Sequence, residues 1–163
     1  MTHLAPLASL AAEVIASCRE NNLKIATAES CTGGLIIGVL TEIAGSSAAV
    51  ERGFVTYSDE SKTEMLGVPA GLIKELGAVS RDVAIAMVQG AIERSDADIA
   101  VSVTGVAGPG GGSEHKPVGL VHFAAMRRGK AAEAAEQRFG DIGRSEIRLA
   151  TIREALGMLR GLI

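Results

Sequence analysis

The stretch Lys24-Ile25-Ala26-Thr27-Ala28-Glu29-Ser30, continuing through Cys31-Thr32-Gly33-Gly34 into the apolar run Leu35 to Ile43, decides the fold. Its first seven residues read as a short strand running into a turn, and the apolar run that follows has helical length. Strand, loop and helix in that order form the basic unit of an α/β sheet. Upstream, Leu7, Leu10, Ala11, Val14 and Cys18 recur at spacings of three and four, predicting an amphipathic helix that Asn21-Asn22 ends. Downstream, Glu51 to Ser58 carries the β-formers Phe54, Val55, Thr56 and Tyr57 and reads as a second strand, with a helix opening at Ser58. Ser80 caps a further helix carrying Val83, Met87 and Ala91, and Ala97 to Thr104 gives a third strand. Gly105 to Gly112 holds five glycines and Pro109, which neither a helix nor a strand interior tolerates. Val118 to Met126 and Ala132 to Phe139 predict an antiparallel hairpin across Arg127-Arg128-Gly129-Lys130. Leu149, Ile152, Leu156, Leu159 and Ile163 define a last amphipathic helix. The expected fold is a single domain over residues 1–163. It is a three-layer α/β/α sandwich with a mixed, mostly parallel sheet and one late antiparallel hairpin.

Composition narrows the function classes. A chain of 163 residues hides about 68–70% of its unfolded surface, so no disulfide or metal staple is required. Two cysteines, Cys18 and Cys31, and the lack of a charged-then-apolar leader predict a cytoplasmic protein. Charges at Glu13, Lys24, Glu29 and Glu42 interrupt the apolar runs, so no membrane partner is expected. A net charge of -3, with no Trp, one Tyr and three Phe, argues against nucleic acid as a partner. The 47% hydrophobic content with so little aromatic bulk suggests an apolar helix face buried between subunits, hence a homo-oligomer. His3, His115, His122 and the two cysteines show no ligand spacing, so a metal is not expected, and without a GxGxxG turn opening a helix no dinucleotide or other cofactor is expected either.

Four segments carry candidate chemistry. In Ala28-Glu29-Ser30-Cys31-Thr32-Gly33-Gly34, a helix beginning near Thr32 would aim unpaired N–H groups at a phosphate or oxyanion. The same residues also fit a simple helix cap with a small buried cysteine. In Tyr57-Ser58-Asp59-Glu60-Ser61-Lys62, a Ser58 cap puts Lys62 on the apolar side of the helix, near Met65 and Leu66. A lysine withdrawn from water has a lowered pKa and can act as a neutral amine base, although a snorkelling lysine fits the pattern too. A serine hydroxyl needs such a base to attack an amide, and Ser-Lys pairs supply one. The Thr104 to Gly112 loop lacks the Lys and Ser/Thr of a phosphate-binding Walker loop and does not open a helix, so it is either a ligand wrap or a mobile connection. Arg144, at the entry to the last helix, could offer its planar fork to a phosphate or carboxylate.

Taken together, Ala28-Glu29-Ser30-Cys31-Thr32-Gly33-Gly34, Tyr57-Ser58-x-x-x-Lys62, Thr104-Gly105-x-Ala107-Gly108-Pro109 and Lys116-Pro117-Val118-Gly119 resemble the CinA C-terminal domain family, the nicotinamide-nucleotide amidohydrolases. The resemblance runs from about Leu7 to the last helix. It implies an α/β/α sandwich that hydrolyses the carboxamide of nicotinamide mononucleotide to nicotinic acid mononucleotide and ammonia. It implies Ser30 as nucleophile, Lys62 as general base and Tyr57 as a partner in proton transfer. Cys31, Thr32, Gly33, Gly34, Thr104, Gly105, Gly108 and Arg144 match family segments that line the substrate pocket. Two other expectations stay open: Cys31 as a thiol nucleophile at a helix start, and a regulatory module that binds a nucleotide without turning it over.

Overall fold

In the computed structural model, which describes residues 2–163, β1 (Ile25–Glu29), β2 (Val50–Val55), β3 (Ile99–Gly105), β4 (Leu120–Arg127) and β5 (Glu133–Arg138) form one sheet in the order β2-β1-β3-β4-β5. β1 pairs in parallel with both β2 and β3, and β4 and β5 add on as antiparallel neighbours. Four strands therefore point the same way and β4 alone opposes them. Every residue of β1 is buried, as expected for a central parallel strand covered on both faces.

Six helices complete the layers: α1 (Ala8–Glu20), α2 (Leu35–Thr41), α3 (Asp59–Leu66), α4 (Ala70–Leu76), α5 (Arg81–Glu93) and α6 (Arg144–Gly161). Ile25, Val101, Val103, Val121 and Phe123 pack one face of the sheet against residues of α1, α2 and α6. Alternate residues Ala26, Ala28, Ala100 and Ala124 turn to the other face, where α3, α4 and α5 pack. That alanine-paved face lets α5 lie close to the strands. The close packing extends to α3: a Cβ at Gly90 of α5 would collide with the Leu66 carbonyl oxygen.

The expected sandwich and late hairpin are present. α6 starts at Arg144, the entry expected from the sequence, and its apolar stripe begins later because its first turn is polar apart from Ile147. Two details differ. α4 was not anticipated, because its seven residues between Pro69 and Gly77 are too short for a helical period to show. α2 starts at Leu35 rather than near Thr32, with Gly34 as its cap in a left-handed conformation at φ 93°.

Candidate active site

Ser30 stands directly after β1. Its N–H donates to the Val103 carbonyl at 3.1 Å, and the preceding Glu29 carbonyl accepts from the Thr56 N–H at 2.8 Å. The serine is thereby fixed at the carboxyl ends of three parallel strands, where open α/β sheets gather their ligands.

Lys62 reaches it from α3. The Ser58 hydroxyl caps this helix, accepting from the Ser61 N–H at 3.1 Å, and one turn later Lys62 points inward with only 1% of its surface exposed. Its Nζ lies 3.1 Å from Ser30 Oγ, 2.9 Å from the Thr56 carbonyl oxygen and 3.4 Å from that of Ser58. Burial draws the amine's pKa below the ordinary lysine value, while Asp59, first among the nearby charges, opposes the shift. The three oxygens are not equivalent. Carbonyls can only accept, so a neutral amine turns its two protons toward Thr56 and Ser58, and Ser30 alone can donate into its lone pair.

Glu29 is fully buried beneath this serine. Its carboxylate accepts from Thr27 Oγ1 at 3.1 Å, Thr32 Oγ1 at 2.6 Å, and the N–H groups of Gly34, Ile36 and Ile37 at 3.0, 3.0 and 2.8 Å. The N–H groups at the start of α2, expected from the sequence to be open to a phosphate, are thus taken by the chain's own carboxylate. Two N–H groups earlier in the turn, those of Cys31 and Thr32, make no hydrogen bond to another described residue; that of Cys31 lies near its own thiol. Cys31 itself is buried at 6% exposure, and burial pushes its thiol up to about 12, the opposite of what a thiolate nucleophile requires.

Ser30 opens onto a cleft of about 270 Å³ lined by Cys31, Tyr57, Gly105, Gly108 and Arg144, together with Val79, Val106, Ala107, Gly110 and Gly111. Lys62 does not itself line the cleft, and its amine adjoins the cleft at Ser30 Oγ. Arg144 spans the rim, donating from Nη2 to the Tyr57 hydroxyl at 3.0 Å and from Nη1 to the Gly108 carbonyl at 2.8 Å. Tyr57 is 61% exposed, and no hydrogen bond joins its hydroxyl to Ser30 or Lys62 among the described residues. Thr32, Gly33, Gly34 and Thr104 do not line the cleft. The Thr104 hydroxyl instead donates to the Ala78 carbonyl at 2.9 Å, tying β3 to the segment before α5. Val79 belongs to that same segment, and nothing in the sequence marked it. A larger cleft of about 400 Å³ runs between α3, α4 and α5, but its lining, which includes Leu66, Leu72, Ile85, Asp82 and Glu93, offers no serine, cysteine or lysine.

Among the described residues no group of three or more His, Cys, Asp or Glu side chains is gathered to hold a metal ion, and no helix is long and apolar enough to cross a membrane. Residues 7–163 match the CinA C-terminal domain. The chain belongs to that family. A CinA-like protein of Akkermansia muciniphila is 55% identical over 127 residues, covering 77% of this chain but 31% of the relative. The chain thus spans about a third of that curated relative. Among solved structures, the competence/damage inducible protein CihA from Agrobacterium tumefaciens matches with a TM-score of 0.94 and 56% identity, over 96% of this chain and 94% of that one. A CinA superfamily protein from Escherichia coli matches with a TM-score of 0.90 and 33% identity, over 96% and 90% of the two chains.

Proposed function

We propose that this CinA-family domain hydrolyses the carboxamide of nicotinamide mononucleotide to the carboxylate and ammonia, with Ser30 as nucleophile and Lys62 as its general base. The observation that carries the reading is the 3.1 Å separation between the buried Lys62 amine and the Ser30 hydroxyl at the floor of a cleft. The family membership and the lowered amine pKa support it.

In this reading, Ser30 Oγ forms a bond to the amide carbon as its proton passes to the Lys62 lone pair. The negative charge on the former carbonyl oxygen is met by the unpartnered N–H groups of Cys31 and Thr32. Collapse breaks the C–N bond, and the Lys62 ammonium returns its proton to the departing nitrogen, which leaves as ammonia. Water then attacks the acyl ester, Lys62 accepts its proton, and Ser30 is regenerated as the acid leaves.

The cleft falls just below the ~300–1,000 Å³ range of ordinary ligand sites, which suits a mononucleotide with one end outside. The exposed Tyr57 ring can meet the cationic pyridinium face-on. With its hydroxyl on Arg144, Tyr57 acts in this scheme at the rim, and the proton moves directly between Lys62 and the leaving nitrogen. The phosphate would be held by Arg144 and by N–H groups of the Gly108 to Gly111 segment.

Ammonia release from nicotinamide mononucleotide by the purified protein tests this. We expect release by the wild type and by Cys31→Ala, and none by Ser30→Ala. Nucleotide binding without ammonia across the pH range would mark a non-catalytic module, and loss in Cys31→Ala with activity kept in Ser30→Ala would move the chemistry to sulfur.

A further inference from the structure

We infer that Arg148 is a positioning residue for the oxyanion site, acting on the Cys31 N–H through a relay of two peptide groups. The inference rests on Ser30 being the nucleophile. Arg148, on α6 and 116 residues from its partner, donates from Nη2 to the Thr32 carbonyl at 2.8 Å. That carbonyl shares a peptide group with the Gly33 N–H, which donates to the Ser30 carbonyl at 3.0 Å. The Ser30 carbonyl in turn shares a peptide group with the Cys31 N–H, which has no acceptor in any other described residue. Each hydrogen bond in such a chain polarises the next, so a cation at one end leaves the last N–H a better donor.

Other features fit a role beyond packing. Arg148 forms no ion pair among the described residues, and its Nε is buried without a partner. Its charge is therefore not spent on a nearby carboxylate. The charge lies within reach of the site: burial is the main influence on the Cys31 thiol and its own backbone N–H the next, and among charges Glu29 disfavours the anion there while Arg148, ahead of Lys62, favours it. A buried carboxylate beside a developing oxyanion is a repulsive neighbour, and Arg148 offsets it. Thr32 is gripped by both, its hydroxyl by Glu29 and its carbonyl by Arg148. Gly33 permits the approach, with φ +60° and a Cβ position that would stand 3.2 Å from Arg148 Nη2.

Arg148→Gln in the full chain tests the relay with two readouts, ammonia release and the rate at which an aryl sulfonyl fluoride modifies Ser30, followed by intact mass. Losing a direct oxyanion donor costs about 10²–10³ in rate, and a polarising partner strengthens a hydrogen bond by about 10–30%, so weakening one indirectly is expected to lower kcat by about twofold to eightfold with KM unchanged. Ser30 modification is expected to slow in step. Arg148→Ala, checked for folding by circular dichroism, should regain part of its rate when guanidinium ion is supplied at millimolar concentration. An unchanged kcat in Arg148→Gln, a change confined to KM, or a folded Arg148→Ala that guanidinium does not rescue would overturn the inference. Slower Ser30 modification in Arg148→Gln, with no ammonia even from the wild type, would keep the relay and discard the nucleotide substrate. Wild-type ammonia release with an indifferent Arg148 would do the reverse.

Discussion

Replacing Glu29 by alanine tests whether this carboxylate organises the nucleophile turn. The side chain is fully buried and accepts five hydrogen bonds, three of them from the backbone at the start of α2. Of those three N–H groups, that of Ile36 is buried, whereas those of Gly34 and Ile37 are partly open to water. An orphaned buried donor costs about 1–3 kcal/mol, and the two half-open donors act as a lost helix cap worth about 1–2 kcal/mol together. Allowing for the two hydroxyls that also lose their acceptor, the expected destabilisation is about 3–5 kcal/mol. For a domain of this size, at about 2–4 °C per kcal/mol, the melting temperature should fall by roughly 6–20 °C. Glu29→Gln keeps one acceptor oxygen but presents an amide NH2 to donors it cannot accept, so an intermediate fall is expected. Differential scanning calorimetry of the three proteins reads this directly. A Glu29→Ala protein melting within about 2 °C of wild type would refute the reasoning, since so small a change leaves no room for an orphaned buried donor.

Gly90→Ala addresses the seat of α3. Alanine in a helix interior ordinarily stabilises by about 0.5–1 kcal/mol relative to glycine, but here the added methyl meets the Leu66 carbonyl oxygen. We expect a lowered melting temperature and a lowered kcat as α3 and Lys62 are pushed from Ser30; a more stable protein of full activity would contradict this packing. Lys62→Met removes a buried amine whose pKa is depressed by burial. The wild-type folded state resists protonation at Lys62, so the penalty is complete below the folded-state pKa and fades as pH rises toward the unfolded value of about 10.4. Urea melts should show Lys62→Met more stable than wild type near neutral pH, with the gap narrowing as pH rises and hydrolysis absent throughout. A gap that widens with pH would reverse the sign and contradict a lowered pKa.

The layers of the sandwich were legible because the central strands are continuous buried runs and α1 and α5 carry clear helical stripes. Lys62 stood out as a charge on the apolar side of a capped helix, and the structure puts it there at 1% exposure. What the sequence hid was which backbone groups a buried side chain would reach. No local pattern shows that a carboxylate at 29 will reach forward to the N–H groups at 34, 36 and 37, and this occupancy closes the phosphate site that the glycine-rich turn suggested. Arg148 was invisible because its partner Thr32 lies far away in the chain and the residue sits among ordinary helix positions. Thr104 looked like part of a ligand loop, but its side chain lies one residue too early and faces Ala78.

The state of the Lys62 amine is most directly read by a pH titration of its side-chain carbon and nitrogen resonances in the folded, full-length chain. A midpoint well below the free-lysine value of about 10.4, shifting when Ser30 is replaced by alanine, is the expected result. A midpoint at or above that value, indifferent to Ser30, would mean that the amine stays charged and cannot take the serine's proton.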